Sequence, residues 1–440
     1  MERFHVKTFG CRASQADGAA LEAALAAKGM SQAGRASDAD VVVLNTCTVT
    51  STADDELRQA VRRIHRESPE AKIVVTGCYA QRAPEEIASL PGVWLVAGNS
   101  HKTRIADLIE TTEAYHGQIE VGDIFAQHDF LSTPVEDALG DRTRPNLKIQ
   151  DGCNNRCSFC IIPFVRGRSR SAPAEQVIAQ VKALAEKYKE VVLSGINLGR
   201  WGRDFGGSAE MHPRLADLVR RLLNETRAER LRLSSVEPMD WSDDLISLVA
   251  TSPRIAKHVH APLQSGSDTV LRRMHRRYRP KHYADRIAKA RAAMPDCAVG
   301  ADVMTGFPGE TDAEFEDSRA FIESLPFTYL HVFTYSERPG TPAAEAATQV
   351  PKDVRKHRTH VLRELSAKKN REFRAAMVGR TLSAVTIAST SDDGRVALSE
   401  NYLKIALAAP REANRIVDVR IGGLAAEGLS EAGSLQVLPH

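Results

Sequence analysis

The chain has 440 residues, of which 42% are apolar and 26% are charged, and its formal net charge is +3. A chain of this length is too long to fold around one ordinary hydrophobic core, so we expect two or three domains. The composition is that of a globular protein. The chain contains no stretch of about eighteen uncharged apolar residues, and its start lacks the apolar core of a signal peptide. We therefore expect a soluble, cytoplasmic protein with no membrane partner.

The first part of the chain alternates strand and helix patterns. Near-continuous apolar strands are predicted at residues 6–9, 41–44, 73–75 and 93–96, with helical patterns between them. Such strands are typical of a parallel sheet that is covered on both faces. We predict an α/β fold whose first domain, residues 1–115, is a small doubly wound parallel sheet.

Three cysteines that are far apart in sequence, Cys11, Cys47 and Cys78, each follow one of the first three predicted strands. Because the carboxyl ends of parallel strands meet at one edge of a sheet, these thiols can converge there and hold an iron–sulfur cluster. The alternative is that they are separate buried cysteines, which behave as small hydrophobic residues.

Turn residues accumulate after this sheet, and we assign residues 116–138 to a linker. Beyond it, strands alternate with crossover helices in about six βα units, which predicts a partial (β/α)6 barrel over residues 139–370. A long charged helix from about residue 352 to 377 is predicted to end at Gly379. Residues 371–440 then show short strand-like runs and turns, which predict a small β-barrel.

Cysteines with C-x3-C-x2-C spacing follow the first barrel strand, at Cys153, Cys157 and Cys160. Three thiolates on one short loop can hold three irons of a 4Fe-4S cluster and leave the fourth iron open to another ligand. The alternative is a zinc site, for which His101, His128 or His212 could supply the fourth ligand, although none has a usual finger spacing. The remaining cysteine, Cys297, is interpreted as a core thiol.

Both cysteine groups lie in segments that resemble the radical S-adenosylmethionine methylthiotransferases. The matching segments are residues 8–12, 45–50, 77–81, 147–153 and 161–171, and the resemblance extends over nearly the whole chain. It implies an N-terminal domain with an auxiliary cluster, a radical S-adenosylmethionine core and a C-terminal TRAM domain. The implied cofactors are two 4Fe-4S clusters and S-adenosyl-L-methionine.

Segments after four further barrel strands have counterparts in the cofactor pocket of that family. They lie where strands end, which is where α/β barrels place their ligands. A turn glycine or a capping polar group is an equally good explanation for each single residue. The cofactor-binding residues implied by the resemblance are Ser194, Gly195, Asn197, Glu237, Gln264, Asp302 and Gly306.

The resemblance also implies a tRNA anticodon stem-loop as partner and an electron donor such as flavodoxin or ferredoxin. Guanidinium groups bind phosphates bidentately and stack on unpaired bases. A solvated helix face explains arginine-rich segments equally well. The candidate RNA-binding residues are Arg166, Arg168, Arg170, Arg273, Arg276, Arg277 and, in the TRAM-like domain, Lys404.

Three short motifs, at residues 10–12, 48–50 and 400–402, are most similar to one branch of the family. That branch inserts a methylthio group at C2 of N6-threonylcarbamoyladenosine next to the anticodon, using radical chemistry that the cofactors supply. Two other hypotheses stay open. One keeps the chemistry but acts on isopentenyladenosine in tRNA or on a ribosomal protein. The other, from a different class, is a non-catalytic RNA-binding metalloprotein.

Overall fold

The structure is a computed structural model that describes residues 2–112, 116–127, 130, 143–206, 212–388 and 394–433. Much of the predicted linker and the zinc-ligand candidate His128 lie outside these ranges. The predicted α/β class is confirmed, with a parallel sheet first, a partial barrel second and a small closed β-barrel last. Among the described helices, none combines the length and the apolar character that crossing a membrane requires.

The first sheet has six parallel strands in the order β2-β1-β3-β4-β5-β6. The strands are β1 (Arg3–Thr8), β2 (Ser31–Gln32), β3 (Val41–Thr46), β4 (Lys72–Gly77), β5 (Val93–Gly98) and β6 (Gln118–Glu120). The helices are α1 (Arg12–Ala27), α2 (Ser51–Glu67), α3 (Cys78–Arg82), α4 (Pro84–Ala88) and α5 (Ile105–Thr111).

Alternate residues of β3 pack on opposite faces of this sheet, as the pleat of a strand requires. Val42 and Leu44 join the apolar cluster under α2, whereas Val41 and Val43 join the cluster under α1 and α5. Both faces are therefore covered, which explains why the first four residues of the strand, 41–44, are all apolar. The predicted strands are present, and two edge strands of two and three residues, β2 and β6, were not predicted.

The second domain contains six parallel strands in two hydrogen-bonded sheets, β10-β9-β7 and β11-β12-β13. The strands are β7 (Asn146–Asp151), β8 (Arg170–Ser171), β9 (Glu190–Gly195), β10 (Arg230–Leu233), β11 (His258–His260), β12 (Ala298–Thr305) and β13 (Tyr329–Thr334), and β8 pairs antiparallel with β7. Hydrogen bonds between residues 231–236 and 254–260 link the two sheets. The strands thus form the predicted partial barrel.

Helices connect the barrel strands and cover their outer face. They are α6 (Ile162–Arg166), α7 (Ala174–Lys187), α8 (Leu215–Glu225), α9 (Asp243–Thr251), α10 (Asp268–Arg273), α11 (Pro280–Ala293), α12 (Asp312–Ser324) and α13 (Lys352–Ala376). The long helix α13 ends close to its predicted end, and Gly379 beyond it has a left-handed φ of 79°. Cys297 is buried in the barrel core, as predicted.

The third domain is a closed barrel in the order β14-β15-β16-β18-β17. Its strands are β14 (Thr381–Thr386), β15 (Val396–Ser399), β16 (Lys404–Ala406), β17 (Ile416–Ala425) and β18 (Gly428–Glu431). Phe373 of α13 and Met377, which directly follows this helix, belong to its apolar core. Arg232 of β10 donates hydrogen bonds to the carbonyls of Ser399 and Glu400, at 3.0 and 3.1 Å, so this barrel is held against the second domain.

Candidate active site

The carboxyl edge of the first sheet carries three cysteines. Cys47 and Cys78 directly follow β3 and β4, and Cys11 follows β1 by three residues. Burial raises the pKa of the Cys47 thiol to about 12, and the neighbouring Cys78 and Cys11 contribute to this shift. A Cβ at Gly10 would lie 2.5 Å from the Cβ of Cys47, so this approach requires glycine. The structure therefore brings these three cysteines together, and their binding of a cluster stays a prediction.

The second cysteine group lies on the loop after β7. Two of its sulfurs accept hydrogen bonds from nitrogens: Cys153 from the backbone N–H of Asn155 at 3.4 Å, and Cys157 from a guanidinium nitrogen of Arg276 at 3.3 Å. Burial, followed by the nearby Cys157, raises the pKa of Cys160 to about 12. The nitrogen donors around these sulfurs suit sulfur that carries negative charge, as a metal cluster provides.

One cavity of about 550 Å³ reaches both cysteine groups. Cys11 of the first group and all three cysteines of the second line it, together with the ends of strands β9 to β13 and part of the C-terminal barrel. Its volume falls within the range of roughly 300–1,000 Å³ that is typical of small-molecule sites. Three domains thus build a single cavity in which two cysteine groups can act on one bound molecule.

Five of the seven residues implied to bind the cofactor line this cavity, namely Gly195, Asn197, Glu237, Gln264 and Asp302. The other two, Ser194 and Gly306, are not among its lining residues, and their contact with the cofactor stays a prediction. The Ser194 hydroxyl is buried and donates to the Leu147 carbonyl at 3.5 Å. A Cβ at Gly306 would overlap the Arg355 side chain, so this glycine allows helix α13 to pack closely.

Two features of the cavity wall fit a polar cofactor. The Asn197 amide donates to the Cys153 sulfur at 3.6 Å, while its Oδ1 is buried without a hydrogen-bond partner among the described residues. Gln264 has a φ of 64°, a strained left-handed conformation that is concentrated at functional sites. A buried acceptor without a donor is costly, so a ligand with an N–H or ammonium group fits beside Asn197.

Glu237 and Arg276 line another part of the cavity as a pair. The two side chains form an ion pair, and Arg276 also reaches the Cys157 sulfur. Burial raises the pKa of Glu237, and Arg276 partly opposes this rise. Arg276 is only 7% exposed, so its predicted role in binding RNA phosphates does not fit its position.

A buried ionic network joins the first two domains. Asp17 of α1 pairs with Lys102, Lys148 and Arg166, and Asp151 of β7 pairs with the last two at 2.8 and 2.9 Å. Burial alone would raise the pKa of Asp17, but the three cations outweigh it and hold that pKa well below its ordinary value. Arg166 is 2% exposed. This burial does not fit its predicted contact with RNA, because its charge is paired with Asp17 and Asp151 between the two domains.

We expect Asp17→Asn to lower the free energy of unfolding by about 3–5 kcal/mol, because it leaves buried cations without a carboxylate partner. The measurement is the urea midpoint of the full chain, followed by the fluorescence of its buried tryptophans. Asp38→Asn is the matched control, since Asp38 is exposed on the same domain. Equal midpoints for the two variants would contradict a stabilising role of the network.

The other candidate RNA-binding residues differ in accessibility. Arg168 and Arg277 are exposed, and so is Lys404 on β16. Arg170 is half-buried, and its guanidinium lies 3.9 Å from the Asp151 carboxylate. Arg273 forms a bidentate ion pair with the Glu314 carboxylate, with N···O distances of 2.8 and 2.7 Å. Arg273 is exposed as well, so solvent reaches Arg168, Arg273, Arg277 and Lys404 but not Arg166 and Arg276.

One wall of the cavity was not predicted from the sequence. It contains His258 and His260 of β11, Tyr329 and His331 of β13, and Tyr402 of the C-terminal barrel, which we call the histidine–tyrosine wall. The first four occur as two pairs at spacing i, i+2, which places each pair on one face of its strand. That spacing is a signal in the sequence, but it does not show that the two strands face one cavity.

Comparisons with known proteins agree with this architecture. The profile of the radical SAM superfamily matches residues 147–322, and that of the uncharacterized protein family UPF0004 matches residues 3–98. The threonylcarbamoyladenosine tRNA methylthiotransferase MtaB of Bacillus subtilis is 39% identical over 95% of this chain and 93% of its own. The protein of the same name from Aquifex aeolicus is 36% identical over 94% and 99%.

Two further comparisons are more distant. A tRNA-2-methylthio-N(6)-dimethylallyladenosine synthase of Cereibacter sphaeroides is 35% identical over 91% of each chain. The solved structure of the radical S-adenosylmethionine methyltransferase TsrM from Kitasatospora setae, with cobalamin and a [4Fe-4S] cluster, has a TM-score of 0.55. It covers 78% of this chain and 77% of its own at 15% identity, which shows a shared fold.

Proposed function

The chain belongs to the radical S-adenosylmethionine methylthiotransferases, and from this membership we propose that it methylthiolates N6-threonylcarbamoyladenosine next to the anticodon of tRNA. Its cofactors are S-adenosyl-L-methionine and 4Fe-4S clusters. The identity of 33–39% to four MtaB proteins supports this substrate. The dimethylallyladenosine synthases, at 34–35% identity, mark the nearest alternative.

The observation that carries the proposal is the single cavity lined by Cys11 and by Cys153, Cys157 and Cys160. The second group would hold the cluster that binds S-adenosylmethionine, and Cys11, Cys47 and Cys78 would hold the auxiliary cluster. When bound, these groups supply an electron, a carbon radical that activates adenine C2, and the sulfur that is inserted. A shared cavity suits this division because the substrate carbon need not move between two separate sites.

The protein itself contributes positioning and the exclusion of water. On this proposal, Asn197, whose Oδ1 has no hydrogen-bond partner among the described residues, and Glu237 would orient the amino acid and ribose parts of S-adenosylmethionine. Arg276 donates to Cys157 and pairs with Glu237, so one guanidinium joins the cluster loop to the cofactor wall. Apolar residues from the barrel strands and from the loop, such as Leu233 and Phe159, complete the lining and limit side reactions of a radical with water.

The tRNA anticodon stem-loop is the proposed partner, and a protein such as flavodoxin or ferredoxin is the proposed electron donor. Beside the cluster loop, the exposed guanidinium of Arg156 lies 5.6 and 5.5 Å from the rings of Phe125 and Phe164. Phe164 is 44% exposed, and such aromatic and arginine surfaces stack on unpaired bases. Together with exposed Arg168 they offer a surface on which an unpaired loop can lie.

We expect 2-methylthio-N6-threonylcarbamoyladenosine to disappear from tRNA when the gene is deleted and to return with the intact gene. The measurement is mass spectrometry of tRNA nucleosides. A gene carrying Cys157→Ala is the matched control and should not restore the nucleoside. An unchanged level after deletion would contradict the proposed substrate and would direct the search to 2-methylthio-isopentenyladenosine and to ribosomal proteins. Absence of iron and sulfide from the purified protein would instead support a non-catalytic RNA-binding protein.

A further inference from the structure

The histidine–tyrosine wall has no part in holding either cysteine group. The His258 ring stacks on Tyr402 with their centroids 4.6 Å apart, and Tyr329 lies beside both rings at 6.0 and 5.8 Å. Tyr402 has a left-handed φ of 63°, a conformation that costs free energy in a non-glycine residue. The C-terminal barrel thus places one aromatic ring in the cavity at some conformational cost.

Hydrogen bonds within this wall leave one buried nitrogen without a partner. The Tyr329 hydroxyl is shared by Nε2 of His258 at 2.7 Å and Nδ1 of His260 at 2.9 Å. Nδ1 of His258 has no hydrogen-bond partner among the described residues, and the residue is buried, with only 6% of its surface exposed. Burial, aided by the nearby charges of Arg232, His260 and Arg12, holds the pKa of His258 well below its ordinary value. Its ring is therefore neutral and can bond a polar ligand.

Arg12 brings a positive charge to the same part of the cavity. It is the first residue of α1 and lines the cavity next to Cys11. Within the described part of the chain its guanidinium forms no ion pair, whereas the buried Arg166, Arg232 and Arg276 all pair with carboxylates. A guanidinium that faces a cavity and has no carboxylate partner of its own is available to an anionic ligand.

Asp302, a carboxylate that lines the cavity next to the histidine–tyrosine wall, forms no ion pair with Arg12. It accepts hydrogen bonds from His260 and His331, both at 3.2 Å. Burial favours a higher pKa for Asp302, but the two histidines outweigh it and hold the pKa well below its ordinary value. Asp302 is thus paired with two histidines of the wall, and among the described residues Arg12 has no carboxylate partner.

We propose that Arg12 and the histidine–tyrosine wall form a subsite for the threonylcarbamoyl group of the substrate, with Arg12 paired to its carboxylate. This inference rests on the proposed function. The group carries a carboxylate, a hydroxyl and a ureido unit, which match a guanidinium, the free Nδ1 of His258 and the aromatic faces of Tyr329 and Tyr402. A dimethylallyl group offers none of these polar partners, so it leaves Arg12 unpaired and is rejected.

The test measures kcat/KM for anticodon stem-loops that carry threonylcarbamoyladenosine or its methyl ester, which lacks the negative charge. Arg12→Gln is expected to lower kcat/KM for the acid by about tenfold to a hundredfold, mainly through KM, because it removes a charge-assisted contact. The ester is expected to cost the parent protein a similar factor and to cost Arg12→Gln little. Arg35→Gln is the matched control, because Arg35 precedes the amino end of β3, at the edge of the sheet opposite Cys11.

Two further measurements separate the subsite from its neighbours. Iron, sulfide and 5′-deoxyadenosine formation are compared in every protein, because Arg12 adjoins Cys11. Tyr402→Leu, which is remote in sequence from both cysteine groups, is expected to raise KM for the acid without changing cluster content. A parent protein that does not modify threonylcarbamoyladenosine at all would overturn the proposed function. A parent that modifies the acid and the ester equally well would overturn the subsite alone, without reference to any variant.

Discussion

Replacing Cys157 with alanine is expected to stop the formation of 5′-deoxyadenosine from S-adenosylmethionine. The C-x3-C-x2-C loop offers one thiolate to each of three irons, and the nearest other cysteines belong to the first sheet. We expect a loss on the order of a thousandfold, which exceeds the roughly 10–100-fold cost of removing a group behind a metal ligand. Arg276 would also lose the sulfur to which it donates at 3.3 Å.

The measurement uses protein reconstituted with iron and sulfide under anaerobic conditions, with 5′-deoxyadenosine quantified after chemical reduction. Cys297→Ala is the matched control, because Cys297 is fully buried in the barrel core and belongs to neither cysteine group. The control is expected to keep the iron content and the product of the parent. Formation of 5′-deoxyadenosine by Cys157→Ala at the parent rate would refute the assignment of the radical site.

The cysteine positions are predictable from the sequence because they depend on local patterns. Apolar runs such as 41–44 predict buried parallel strands, and residues that follow such strands share one edge of the sheet. Cys47 and Cys78 directly follow β3 and β4 in the structure. The edge strand Ser31–Gln32 is missed because two exposed polar residues carry no strand pattern.

The roles of the arginines are not predictable in this way, because burial depends on partners that are distant in sequence. Arg166 pairs with Asp17, which is 149 residues away, and Arg276 pairs with Glu237, which is 39 residues away. A run of basic residues looks the same whether it faces solvent, RNA or a buried carboxylate. Arg12 shows the reverse case, since its position beside Cys11 gives no sign that it lines the same cavity as a residue of the C-terminal barrel.

Replacing Cys47 with alanine is expected to separate the two halves of the reaction. The loop of Cys153, Cys157 and Cys160 is unchanged, so 5′-deoxyadenosine should still form. Cys47 is 6% exposed and lies directly against Gly10, beside Cys11, so no other described thiol can take its place. Methylthiolated RNA is therefore expected to fall on the order of a hundredfold or more, since a ligand is lost rather than a group behind one.

This experiment measures both products in the same reaction, with a threonylcarbamoyladenosine stem-loop as substrate. The Cys47→Ala protein should contain about half the iron of the parent, and Cys297→Ala again serves as the control that loses a thiol but no ligand. Retention of methylthiolation at the parent rate would show that the sulfur does not come from the first sheet. Loss of both products would show instead that the two domains depend on each other. The ionic network around Asp17 makes this outcome testable. Asp17→Asn should then lose both products as well, although it keeps the six cysteines of the two groups.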